Sequence, residues 1–209
     1  MIDIYFFRHG ETNGNVAGRH QPDVTRLTAR GKEQATAAGV LAVALEPTHF
    51  LVSTQVRAVE TARLMGKSLT LIPETNELFQ ELVRPKSING YYHWSFKTFW
   101  YLIRWYFEVA DGNNGSSEGE SYRTFRRRLK ETKQYLVTFP PGSRVVVVSH
   151  AVFINLFMAH LCHENRLPWW RAMRYFIKIF TLRNTGVIHV RFAPELVNKE
   201  CPWRVLKEL

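Results

Sequence analysis

Short apolar runs alternate along this chain with longer stretches in which apolar residues recur at helical spacing. Residues 2–7 carry Ile, Tyr and Phe, types that suit a pleated, buried surface, and the run breaks abruptly at Arg8-His9-Gly10. Thr28 is placed to cap a helix that begins near Ala29, continues through an alanine-rich run to about Leu45 and stops at Pro47. The pattern then predicts a strand over 49–53, a helix over 56–67 with Ala58, Ala62 and Met65 facing inward, and a third strand over 69–72 ended by Pro73. Residues 91–110 are crowded with Tyr, Trp and Phe, which predicts one or two helices apolar over an unusually wide face. A Gly/Asn/Ser loop over 111–119 leads to a basic amphipathic helix over 121–138. Its inner stripe is Tyr122, Phe125, Leu129 and Leu136, with arginines and lysines around the rest. Pro140-Pro141-Gly142 breaks that helix before Val145-Val146-Val147-Val148, and an apolar helix follows over 152–162. Residues 169–175 are short and mixed. Residues 177–182 and 187–192 alternate like strands around Arg183-Asn184-Thr185-Gly186, a hairpin signal.

Strands alternating with helices imply an α/β fold, a largely parallel sheet covered on both faces, and the hairpin adds an antiparallel edge. At 209 residues the chain fits one domain, 1–209, with the aromatic segment as an insertion over about 86–120. Apolar content of 45% and charged content of 22% are globular values, so disorder is not expected. A net charge of +10 favours anionic partners by long-range steering: phosphate monoesters, nucleic acid or an anionic membrane. The plainer reading is a basic surface that only aids solubility, and no nucleic-acid motif accompanies the charge, so specific DNA or RNA recognition is not expected. Cys162 and Cys201 lack metal-ligand spacing and make no disulfide framework, which predicts ordinary thiols in a reducing compartment. With no leader-like amino terminus and no long apolar span, a cytoplasmic location is the default expectation.

The chemistry gathers at strand ends. The first strand delivers Arg8 and His9 to its carboxyl end, the valine strand ends in Ser149-His150, and the second strand runs into Ser53-Thr54-Gln55-Val56-Arg57. Ligands of open α/β sheets bind at that edge, so two histidines and two arginines there suggest a pocket for a phosphoryl group.

Arg8-His9-Gly10-Glu11-Thr12 with Asn15, Leu27-Thr28 with Gly31, Gln34 and Ala35, Ser53-Thr54 with Arg57, Ala58, Thr61 and Ala62, Gly119-Glu120-Ser121, and Ser149-His150 occur in family order over most of the chain. Together they resemble the histidine phosphatase superfamily, the phosphoglycerate mutase-like proteins. The resemblance implies a three-layer α/β/α sandwich with a helical, aromatic-rich lid, no cofactor and no metal. It implies His9 as nucleophile, Arg8, Arg57 and His150 as phosphate ligands, and Asn15 and the Ala151 amide as further phosphate contacts.

The residue chemistry agrees. A neutral imidazole can attack phosphorus and split one displacement into two, while guanidinium groups hold the equatorial oxygens. The leaving alkoxide needs a proton that the same group can later take from water, and a carboxylic acid serves both steps. Glu81 is chosen because Leu78-Phe79-Gln80-Glu81 lies where the superfamily places its acid, with Glu77 as the fallback. Glu11 is expected to orient Arg8 or His9, and Glu120 to cap the following helix or tie down its loop. Pro22 removes a backbone donor from a loop that commonly carries glycine, and Ala151 stands where glycine commonly follows the second histidine. No paired-arginine substrate motif is evident, Arg126-Arg127-Arg128 reading as a solvated helix face. The expectation is therefore a metal-independent phosphatase of a small phosphorylated substrate. A phosphomutase, or a non-catalytic binder of polyanion or membrane that keeps the pocket, is the alternative. The aromatic segment 91–107 has four uses left open: core, lid for an apolar substrate moiety, homodimer surface, or peripheral membrane contact.

Overall fold

The computed structural model describes residues 1–108, 119–163, 165–178, 181–197 and 200–208. The expected Gly/Asn/Ser loop falls almost wholly outside them, as do two residues of the strand expected over 177–182. Among the described residues six strands form one sheet in the order β3-β2-β4-β1-β5-β6. They are β1 (Ile2–Arg8), β2 (His49–Val52), β3 (Glu74–Thr75), β4 (Arg144–Ser149), β5 (Val187–Phe192) and β6 (Trp203–Glu208). The first four in space are mutually parallel, and β5 and β6 add the antiparallel edge. The helices are α1 (Asn13–Ala17), α2 (Ala29–Val43), α3 (Val56–Met65), α4 (Phe96–Phe107), α5 (Tyr122–Leu136), α6 (Ala151–Ala159) and α7 (Trp169–Lys178).

Alternation along the central strands sorts the core into two layers. Ile4, Phe6, Val145 and Val147 face a cluster built with Phe125 and Leu129 of α5 and Phe153 and Phe157 of α6. Tyr5, Phe7, Val146 and Val148 face the other cluster, with Ala38 and Ala42 of α2 and Ala58 and Ala62 of α3. Both faces of the sheet are thus covered, which explains the unbroken apolar runs of β1 and β4.

Three expectations about elements change. The third strand is Glu74–Thr75, not 69–72: the chain turns tightly after α3, and only beyond Pro73 does backbone pair with Leu51 and Val52 of β2. The C-terminal hairpin joins β5 to β6, because α7 runs through Lys178 and residues 177–178 are helical. A six-residue alternation is too short to separate strand from amphipathic helix. Strand β6, not foreseen, is anchored by buried Trp203, whose ring meets Phe157 and Phe192.

Cys162 and Cys201 are not free thiols but a disulfide with Cα atoms 5.5 Å apart. The fold brings the end of α6 beside the approach to β6, a proximity that no sequence spacing encodes. The bridge closes a loop over a separation of 39 residues. Chain-entropy arguments then give it about 4 kcal/mol. Urea unfolding with and without reductant should show the reduced protein less stable by that order, and coincident curves would contradict it. Among the described residues no helix is long and apolar enough to cross a membrane.

Candidate active site

The register that aligns β1 with β4 ends at Arg8 opposite Ser149, and the next amide, that of His9, donates to the Ser149 carbonyl at 2.9 Å. The Ser53 amide donates to the Val148 carbonyl at 3.0 Å, so the ends of β1, β2 and β4 lie level. His9, His150 and Ser53 therefore meet at one sheet edge, with the two imidazole centroids 5.1 Å apart. Gly10 is required there, since a Cβ would run into the Gly31 carbonyl at the start of α2. Its amide donates to Thr61 Oγ1 at 3.0 Å, which in turn donates to the Arg57 carbonyl.

The tautomer of His9 follows from its partner. Nδ1 lies 2.7 Å from the Gly10 carbonyl oxygen, which can only accept, so Nδ1 carries the proton and Nε2 keeps its lone pair. Burial, reinforced by Arg57 and Arg8, holds the His9 pKa well below the usual histidine value. A buried, neutral imidazole with a free nitrogen is a nucleophile in its reactive form.

Around it the donors converge. Arg8 reaches the Leu182 carbonyl at 2.5 Å, and Arg57 donates to Gln55 Oε1 at 2.7 Å and to the Pro22 carbonyl. Burial pulls the Arg57 pKa down to about 10, still a cation at neutral pH. His150 Nε2 pairs with Ser53 Oγ at 2.8 Å, and burial together with Arg57 and His9 keeps this ring neutral too. Arg8 Nε, Arg57 Nε, Arg84 Nε and His150 Nδ1 are buried without a hydrogen-bond partner. Each such group costs about 1–3 kcal/mol, and an anion bound among them would supply the missing acceptors.

Glu81 is buried against the amino end of α6: its carboxylate accepts the amides of Phe153 at 3.0 Å and Val152 at 3.3 Å. That leaves the amide of Ala151, which lines the cavity, as the unengaged donor of the first turn. Glu77 is exposed and lies off the cavity, so the fallback acid is not brought to the site. Asn15 does line it, with Oδ1 accepting from the Thr12 amide and from Asn184 Nδ2.

Two expectations are corrected. Glu11 touches neither Arg8 nor His9; it accepts from Thr28 Oγ1 at 2.9 Å and so ties the loop to α2. Arg128 is not solvated. It donates to both oxygens of Glu120, at 3.0 and 2.7 Å, and to the carbonyls of Leu78, Gln80 and Glu81, with only 14% of its side chain exposed. Arg128 thereby clamps the loop that carries Glu81 and holds Glu120 beside it, while the loop that Glu120 was expected to tie down lies almost wholly outside the described residues. Asn184 and Arg84 line the cavity and were missed by the sequence reading. Asn184 Nδ2 donates to the His9 carbonyl, and the 183–186 turn reaches β1 through bonds between Arg8 and Thr185 and Gly186.

Arg8, His9, Asn15, Arg57, Glu81, Arg84, Ala151 and Asn184 open on one cavity of about 1050 Å³, and His150, fully buried beside His9, is not part of its lining. Among the described lining residues Arg8, Arg19, Arg57 and Arg84 oppose the single carboxylate of Glu81, a balance that suits a dianion. Among the described residues no group of three or more His, Cys, Asp or Glu could hold a metal.

Known proteins share the sequence pattern and the fold. A sequence model of the histidine phosphatase superfamily (branch 1) matches residues 4–196. A probable phosphoglycerate mutase, GpmB, of Escherichia fergusonii is 26% identical over 199 residues, covering 92% of this chain and 86% of that protein. Among solved structures, a phosphoserine phosphatase from Entamoeba histolytica superimposes with a TM-score of 0.75 at 20% identity, over 100% of this chain and 96% of that one. A mycobacterial glucosyl-3-phosphoglycerate phosphatase does so with 0.71 at 22% identity, over 99% and 98%.

Proposed function

Because the chain belongs to the histidine phosphatase superfamily, branch 1, we propose that it hydrolyses a phosphate monoester through a phosphohistidine on His9. The observation that carries this reading is the fixed tautomer of His9, with Nε2 unprotonated among Arg8, Arg57 and His150. Nε2 attacks phosphorus, the bond to the ester oxygen breaks, and Glu81 gives that oxygen a proton. Water then yields a proton to Glu81 and attacks the phosphoryl group; the P–N bond breaks, releasing inorganic phosphate and neutral His9. The guanidinium groups, His150 Nδ1, the Asn15 amide group and the Ala151 N–H offer donors to the equatorial oxygens throughout.

A phosphomutase, the activity named for the curated relatives, would return the phosphoryl to a second hydroxyl instead of to water. The test follows phosphate release and phosphoryl transfer to an added alcohol, in chelator, for wild type and Glu81→Gln. The hydrolase reading expects chelator-resistant release from an aryl and an alkyl phosphate. It expects Glu81→Gln to slow the alkyl ester far more, by 10²-fold or beyond, since an aryloxide leaves without a proton. Transfer without release supports the mutase, and an equal loss on both esters removes Glu81 from the acid role.

A further inference from the structure

The cavity is strongly two-ended. Arg8, Arg57 and Glu81 line it with His9 at the sheet edge, and Arg84, His93, Thr98 and the exposed Arg19 line it as well. Beyond them the walls are Phe99, Leu102, Ile103 and Phe107 of α4, with Trp169 and Ala172 of α7 across from them. From residue 94 onward no described lining residue is charged. His93 is itself held neutral, its pKa lowered to about 4 by burial and by Arg84.

Helix α4 is not ordinary core on this side. Trp105 is buried against Tyr122 and Phe125, yet Phe99 and Phe107 stay more than half exposed and Phe96 is 74% exposed. Across the mouth Trp169 is 67% exposed. A chain that leaves this much aromatic surface around a cavity already at the upper end of ligand-pocket sizes has an apolar occupant to cover it. Against those walls an alcohol bearing hydroxyls or a carboxylate would lose its hydration and find partners only where Arg19, His93, Ser95 and Thr98 line the cavity, whereas each buried methylene gains about 4-fold in binding.

We propose that the ester's alcohol is long and apolar: its phosphate is held at His9, and its chain lies between α4 and α7. The proposal rests on the phosphatase reading for turnover but not for binding, and the test separates the two. Alkyl phosphonates of two to ten carbons, which cannot be hydrolysed, are titrated as monomers in solution, alongside hydrolysis of the matching alkyl phosphates. Affinity should rise roughly 4-fold per added methylene until the cavity is full. Leu102→Gln should flatten that rise to below about 2-fold per methylene. Should Leu102→Gln fail to fold, Trp169→Ala, at an exposed position, should lower affinity for the longest chains and leave the shortest unaffected.

Wild-type affinity that does not change with chain length overturns the proposal, as does a slope kept by both variants. Affinity gained only on vesicles and absent for monomeric phosphonates overturns it too, assigning the aromatic rim to a bilayer surface. A chain-length slope in binding without hydrolysis of any ester upholds the apolar alcohol site and rejects the phosphatase reading.

Discussion

Replacing His9 by alanine should abolish phosphate release, lowering kcat/KM by at least 10⁴-fold while the protein stays folded. No other group can take over the attack: His150 Nε2 is engaged with Ser53, and Glu81 is spread across the first turn of α6. The fall should appear in kcat rather than KM, because the guanidinium groups that hold the phosphoryl remain. Rapid quench with a labelled phosphate ester should trap an acid-labile phosphoenzyme in the wild type and none in the variant. Residual turnover above about 1%, or a phosphoenzyme that persists, would place the nucleophile elsewhere. The same environment sets the pH profile. Protonating Nε2 destroys the nucleophile, and the His9 pKa lies well below its ordinary 6.5, so the acid limb of kcat/KM attributable to His9 should fall below pH 6.5.

Thermal stability should drop steeply as pH falls from 6.5 toward 5. Five histidines are held neutral by burial: His9 and His150 well below the usual value, His20 with a pKa of about 3, and His93 and His160 with pKa values of about 4. The unfolded chain takes up protons near 6.5 while the native state does not, so stability is full above that pH and is lost below it, down to the folded pKa values. Each fully buried histidine contributes up to about 1.4 kcal/mol per pH unit. His20 and His93, reached by water from the cavity, contribute less. Melting curves at half-unit steps should show the decline setting in near pH 6.5, well above the carboxylate range. A melting temperature flat from pH 7 to 5.5 would mean that these rings titrate normally.

His9 and the ring facing it were legible in the sequence as a pair because each is delivered by a strand end: Phe7-Arg8-His9 and Val148-Ser149-His150 carry strand, break and imidazole in one string. Arg84 and Asn184 carried no such string. Asn184 reaches Asn15 from 169 positions away, through the antiparallel pairing of β5 on β1, and only topology supplies that contact. Arg128 was hidden among identical neighbours, although a signal existed. It stands three residues after Phe125 and four before Thr132, both buried, which puts it on the inner edge of α5 rather than with Arg127 outside. The disulfide was illegible for the same reason as Asn184.

The pairing of β1 with β4 also governs how this protein can fail. A slip of one residue would bring Arg8 where His9 belongs, but it would also turn Phe6 and Phe7 to the wrong faces of the sheet. Alignment of the strand ends and core packing are thus one constraint, and a slip in the first is a folding defect. Misregistered copies should be lost to proteolysis and aggregation, unlike a His9→Ala variant, which keeps the register and the fold.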